Sequence, residues 1–211
     1  MARRSARFYF DFISPFSYLA WLKLPQFSAR LAFEPVPILF AAVLDRIGQK
    51  GPAEIPAKRD FTYRFVQWQA ERVGVALRFP PAHPFNPLAA LRLCVAAGAS
   101  SAAIDAIFAH LWRDGLAGDT PVALEPVARQ LGVADVAAAV EAPEVKSKVR
   151  ENTETALTAG VFGVPTVLVD GLAFWGNDAL PMLAQYLDDP AHFERGEYAR
   201  LAMLPTAATR V

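Results

Sequence analysis

An α/β domain whose sheet is interrupted by a long helical insertion is predicted by three observations. Phe8-Tyr9-Phe10-Asp11-Phe12 is a bulky apolar run that leads straight into Ser14-Pro15, a strand followed by a helix start with proline at its first turn. Residues 87–160 are alanine-rich and helical in pattern, broken near Gly98, 118–121, Gly132 and Pro143. Thr166-Val167-Leu168-Val169 and Leu172-Ala173-Phe174-Trp175 flank Asp170-Gly171, a strong hairpin signal. The order is therefore βαβ, a helical block, then ββα.

Each element has its own warrant. Residues 6–12 form the first strand, with Ser14 at the junction, and residues 15–31 a helix that Pro25 interrupts. Phe33-Glu34-Pro35-Val36-Pro37-Ile38 reads as an edge strand, because proline cannot donate to a ladder on both sides. Residues 39–47 supply one or two helical turns, and Gly48-Gln49-Lys50-Gly51-Pro52 a loop. Phe61, Phe65, Trp68 and Val73 recur near helical spacing, which predicts a helix over 57–73. A loop follows through Phe85, and Asn86 precedes Pro87 as an N-cap with proline at N1. A final amphipathic helix spans 177–188, with Asn177 as its N-cap, before a turn-rich tail. The expected division is a sheet domain of 1–48 and 158–188, a helical insertion of 49–157 and a tail of 189–211.

Composition narrows the function. With 211 residues the chain can bury a substantial core, and its formal net charge of zero argues against a nucleic-acid partner. One cysteine, Cys94, rules out an internal disulfide and dithiol chemistry, and its place beside Leu91 and Val95 suits a small buried residue. No apolar run reaches the roughly 18 residues of a membrane span. Arg3, Arg4 and Arg7 lead into a strand rather than a signal sequence, so a cytoplasmic protein without membrane partners is expected. His83, His110 and His192 lack metal-ligand spacing and read as loop or helix-surface residues, with His83 lying nearest the Phe85-Asn86 segment. No metal site is expected.

Three segments carry candidate chemistry. Ser14 sits at a helix N-terminus, where free N–H groups favour an anion and lower thiol pKa values; the same serine is also an ordinary N-cap. A thiol of pKa near 8.5 lowered by about two units, or about 2.7 kcal/mol, would go from about 3% to about 75% thiolate at pH 7. Val164-Pro165 directly before a buried strand is a candidate cis peptide, whose valine N–H and C=O could pair with an extended ligand. Trp175-Gly176-Asn177-Asp178 opens the last helix, with N–H donors for a carboxylate and Asp178 for an ammonium group.

As a set, FYFDFISPFSYLA, GPAEIPAKRDF and GVFGVPTVLVDGLAFWGNDAL resemble the 2-hydroxychromene-2-carboxylate isomerases and kappa-class glutathione transferases. These are thioredoxin-like proteins with a DsbA-type helical insertion, and the resemblance runs over about residues 7–188. The Phe-Trp-Gly element and Phe85-Asn86 favour the isomerase branch. The resemblance implies glutathione as cofactor, with Ser14 stabilising its thiolate where a redox relative carries Cys-x-x-Cys. It implies Val164 and Pro165 for the cysteinyl part, Asn177 and Asp178 beside Trp175 and Gly176 for the γ-glutamyl end, and Lys58 for a carboxylate. Phe16, Gln49, Phe85 and Asn86 would face an aromatic substrate, with Gln49 standing where the family usually has asparagine. The implied protein is a homodimeric, glutathione-dependent cis–trans isomerase of aromatic breakdown. The alternatives are a kappa-like transferase and a non-catalytic protein that keeps the fold.

Overall fold

The computed structural model describes residues 2–207, so positions 208–211 of the expected tail lie outside the described residues. One sheet is built from β1 (Arg4–Phe10), β2 (Leu31–Pro37), β3 (Thr166–Val169) and β4 (Leu172–Trp175), in the order β2-β1-β3-β4. β1 lies parallel to β2 and antiparallel to β3, and β3–β4 is an antiparallel hairpin. β2 is at the sheet edge, where Pro35 and Pro37 leave no ladder bond missing. At the hairpin tip Asp170 (φ 50°) and Gly171 (φ 81°) both take the left-handed region that a type I′ turn requires.

The helices are α1 (Pro15–Trp21), α2 (Phe40–Arg46), α3 (Pro56–Arg72), α4 (Leu88–Ala96), α5 (Ser101–Phe108), α6 (Pro121–Gln130), α7 (Val136–Glu141), α8 (Pro143–Thr158), α9 (Leu180–Asp188) and α10 (Glu197–Leu201). Three boundaries differ from the sequence reading. β1 stops at Phe10, leaving residues 11–14 as a corner before α1. α1 ends at Trp21, and Pro25 falls in a separate 3-10 turn, Leu24–Phe27. The segment from Asn177 begins as a 3-10 turn, Asn177–Ala179, with α9 proper from Leu180; α10 then follows it.

β1 is buried on both faces, which is why its sequence is a continuous apolar run rather than an alternation. On one side Phe8 and Phe10 join Phe12, Phe108 and Trp112 in a core shared with the inserted helices; the Phe12 and Phe108 rings meet at 4.7 Å. On the other, Tyr9 packs with Val36, Ile38, Val43, Ala156, Val161 and Val164. α5 continues into a π-helical turn, Ala109–Arg113, that directs Trp112 into this core. His110 in that turn is buried, its Nε2 2.8 Å from the Ala117 carbonyl, and so is not the helix-surface residue its spacing suggested. Cys94 is fully buried on α4, and burial pushes its thiol far up. Among the described residues no helix is long and apolar enough to cross a membrane.

Candidate active site

The 11–14 corner is where β1 delivers the chain to α1. Asp11 is wholly buried, yet it is the one charged residue in an aromatic run. Its Oδ1 accepts from Ile13 N–H (3.0 Å) and its Oδ2 from Phe40 N–H (2.8 Å), which ties the corner to the start of α2. Burial raises the Asp11 pKa to about 7, while the N–H donors pull the other way. The Asp11 carbonyl accepts from Ser14 N–H at 3.1 Å. Two side chains from the insertion complete the corner: Trp112 Nε1 donates to the Phe12 carbonyl (2.8 Å) and His83 Nε2 lies 2.9 Å from the Ile13 carbonyl.

Ser14 is the N-cap of α1, its Oγ accepting from Ser17 N–H at 3.2 Å. The cap reading and the thiolate reading are therefore compatible. Capping consumes an oxygen lone pair and leaves the hydroxyl proton to donate. α1 is only seven residues long, so its dipole is short and the hydroxyl donor is the stronger of the two influences on a bound anion. Ser17 is also buried, and its Oγ has no partner among the described residues.

The second segment meets the corner through the sheet. Tyr9 pairs with Thr166, so Val164 and Pro165 lie beside the end of β1. The Val164–Pro165 peptide is cis, as expected. Thr166 Oγ1 donates to the Gly163 carbonyl (2.7 Å), and the Pro165 carbonyl accepts from Gly176 N–H (2.8 Å), which draws the third segment alongside. The Trp175 indole lies over Gly163, where a Cβ would meet Nε1 at 2.4 Å. Gly176 has φ 97°, and a side chain there would also strike Asp178.

Asn177 departs from expectation. It is buried, but it does not cap α9; its Nδ2 donates to Gln69 Oε1 on α3 (2.8 Å) and its Oδ1 has no partner. The reason is the intervening 3-10 turn, which displaces the helix start to Leu180. Asp178 is exposed and acts on Lys23, whose pKa is lowered by burial and partly restored by that carboxylate. A cleft of about 630 Å³ opens here, lined among others by Lys23, Trp68, Gln69, Arg72, Asn177 and Asp178. Both signs of charge converge on it, together with a buried acceptor left unpaired.

The aromatic residues are only partly gathered. Phe16 on α1 is half-buried with its ring 6.2 Å from Phe65, and Phe61, Phe65 and Trp68 form a stacked stripe along α3 that ends under Arg72. Phe85 packs instead against His83, 6.2 Å between rings. Asn86 is exposed, and its Oδ1 accepts from Leu88 N–H at the start of α4, with Pro87 rather than Asn86 in the cap position. Gln49 and Lys58 are exposed, one after α2 and the other in the first turn of α3, and no side-chain hydrogen bond or ion pair among the described residues ties either to Ser14. Sequence reasoning missed Asp11, Tyr63, Gln69 and Trp112. Asp11 alone carried a usable signal, as a carboxylate inside a strand-like apolar run.

Comparison with known proteins agrees with this geometry. The profile of the DSBA-like thioredoxin domain family matches residues 6–188. A 2-hydroxychromene-2-carboxylate isomerase from Sphingobium xenophagum is 32% identical over 86% of this chain and 97% of its own. A glutathione S-transferase kappa 2 from Caenorhabditis elegans is 27% identical over 89% of this chain and 93% of its own. Among solved structures, a 2-hydroxychromene-2-carboxylate isomerase superposes with a TM-score of 0.77 at 27% identity, covering 93% of this chain and 98% of the other.

Proposed function

The chain belongs to the DsbA-like thioredoxin domain family, among the 2-hydroxychromene-2-carboxylate isomerases and kappa-class glutathione transferases, and we propose that it is a glutathione-dependent cis–trans isomerase. Its substrates would be of the 2-hydroxychromene-2-carboxylate and trans-o-hydroxybenzylidenepyruvate type, met in aromatic catabolism. The observation that carries the reading is Ser14: a buried hydroxyl with a free proton at the mouth of α1, in a chain whose own thiol is sealed inside α4.

The residues present fit glutathione. Asn177 Oδ1, buried and unpaired beside Asp178, suits an ammonium group, and Lys23 suits the carboxylate of the same amino-acid end. Val164 offers backbone groups to the cysteinyl portion, and Lys58 is long enough and unencumbered enough to reach a second carboxylate. Glutathione, when bound, would supply the thiolate that adds reversibly to the conjugated double bond and lets it rotate. The protein's part is to keep that sulfur anionic through the Ser14 O–H and to hold a flat substrate against Phe16 and Phe65. Asn86, with Oδ1 engaged in capping, has only its NH₂ left to donate, and Gln49 would approach from the loop after α2. The reading includes a cytoplasmic homodimer, whose mass light scattering measures.

Ser14→Ala is the direct test. Removing a charge-assisted donor should raise the bound thiol's pKa and cut turnover about 100-fold, read from thiolate absorbance against pH and from isomerisation rates. Unchanged values for both would remove Ser14 from the mechanism. The identity to the nematode kappa transferase supports a second reading, conjugation to an electrophile. Stoichiometric loss of free glutathione during turnover would favour conjugation, and constant glutathione the isomerase.

A further inference from the structure

The peptide unit joining Ile13 to Ser14 is held at both ends. Its N–H, on Ser14, donates to the Asp11 carbonyl at 3.1 Å, and its C=O, on Ile13, faces His83 Nε2 at 2.9 Å. A carbonyl can only accept, so Nε2 carries the proton. His83 Nδ1 lies 2.6 Å from the Tyr63 hydroxyl, which is itself 2.8 Å from the His83 carbonyl. Around the imidazole stand Phe79, Phe85 and Trp112, all uncharged. Burial, the largest influence, lowers the His83 pKa, and the Ile13 bond partly offsets it.

A neutral imidazole has one proton and two places to put it. With Tyr63 O–H donating to Nδ1, that nitrogen must be the acceptor and the proton is confined to Nε2, where Ile13 needs it. We propose that His83 and Tyr63 are positioning residues for Ser14: Tyr63 fixes the tautomer of His83, and His83 fixes the Ile13–Ser14 peptide and thereby the direction of the Ser14 hydroxyl. The pair reaches the corner from the inserted segment, Tyr63 on α3 and His83 on the loop before α4, so the insertion sets the aim of a serine that belongs to the sheet half. The catalytic consequence rests on the reading of Ser14 given above; the positional one does not.

The test compares His83→Leu, His83→Gln and Tyr63→Phe in the full chain, because a glutamine Nε2–H can replace that of histidine. Amide hydrogen exchange at Ser14 should accelerate about tenfold or more in His83→Leu, while Phe8 in the middle of β1 keeps its rate. In the same variant kcat should fall about tenfold, with glutathione Kd changed less than about threefold. His83→Gln should recover most of both effects, and Tyr63→Phe should lie between. Ser14 exchange and kcat at wild-type values in a folded His83→Leu protein, or no recovery in His83→Gln, would overturn the proposal. If His83→Leu does not fold, Tyr63→Phe decides: unchanged Ser14 exchange there removes the tautomer argument. If the wild-type protein binds no glutathione, the isomerase reading fails, and the exchange rates still decide whether His83 holds Ser14.

Discussion

The corner at residues 11–14 and the turn at 177–178 both adjoin α1, and they are finished to different degrees. In the corner, the Phe12–Ile13 and Ile13–Ser14 peptide units each have both polar ends bonded, through the Asp11 carboxyl and carbonyl, Trp112 and His83. In the turn, Asn177 keeps a buried oxygen without a partner and Asp178 stands exposed. The difference separates two tasks. The folded chain itself positions the reactive serine, whereas the capacity left open at the turn is what a ligand can use.

The largest effect should come from Asp11. Its pKa of about 7 in the folded protein exceeds the ordinary 3.8, so the folded state binds this proton more tightly than the unfolded state does. The stability it contributes is full below about pH 4 and is lost as pH rises toward 7, a span on the order of 4 kcal/mol. Asp11→Asn cannot titrate, so denaturant unfolding at pH 4 and pH 7.5 should show wild type losing that much relative to the variant. Parallel behaviour would mean that the corner does not depend on this proton. Next, Trp112→Phe removes the donor to the Phe12 carbonyl and leaves that oxygen buried and unpaired; an urea melt should shift by about 2 kcal/mol.

The turn should respond in the opposite sense. Asp178→Asn ought to leave stability within about 0.5 kcal/mol, since the side chain is exposed, while calorimetry shows glutathione binding weakened about tenfold. A stability loss with binding intact would reverse the division of tasks. The smallest effect belongs to neither region: Arg4→Gln breaks the exposed pair with Asp170 at the hairpin tip, for less than about 1 kcal/mol by thermal melt and no change in turnover.

These contrasts also mark what a sequence can disclose. The strand order, the edge position of β2, the helical block and the Asp170-Gly171 hairpin rest on local rules of periodicity, proline placement and turn chemistry, and they were legible. So were the Ser14 cap and the cis Val164–Pro165 peptide, because each is signalled by its immediate neighbours. The grip of Trp112 on Phe12 spans 100 positions in the chain, and that of His83 on Ile13 spans 70. No pattern in either segment points to the other. Asn177 shows the converse failure: a favoured cap residue is overridden when a 3-10 turn and a contact with Gln69 on a distant helix claim its side chain.

Cys94 lies fully buried in α4, its thiol pushed up by its apolar surroundings. Alkylating agents and peroxides act on exposed thiolates, and this chain presents none of its own. A protein that borrows its sulfur for each encounter is therefore repaired by exchange: a poisoned sulfur leaves with its carrier, and the next carrier brings a fresh one.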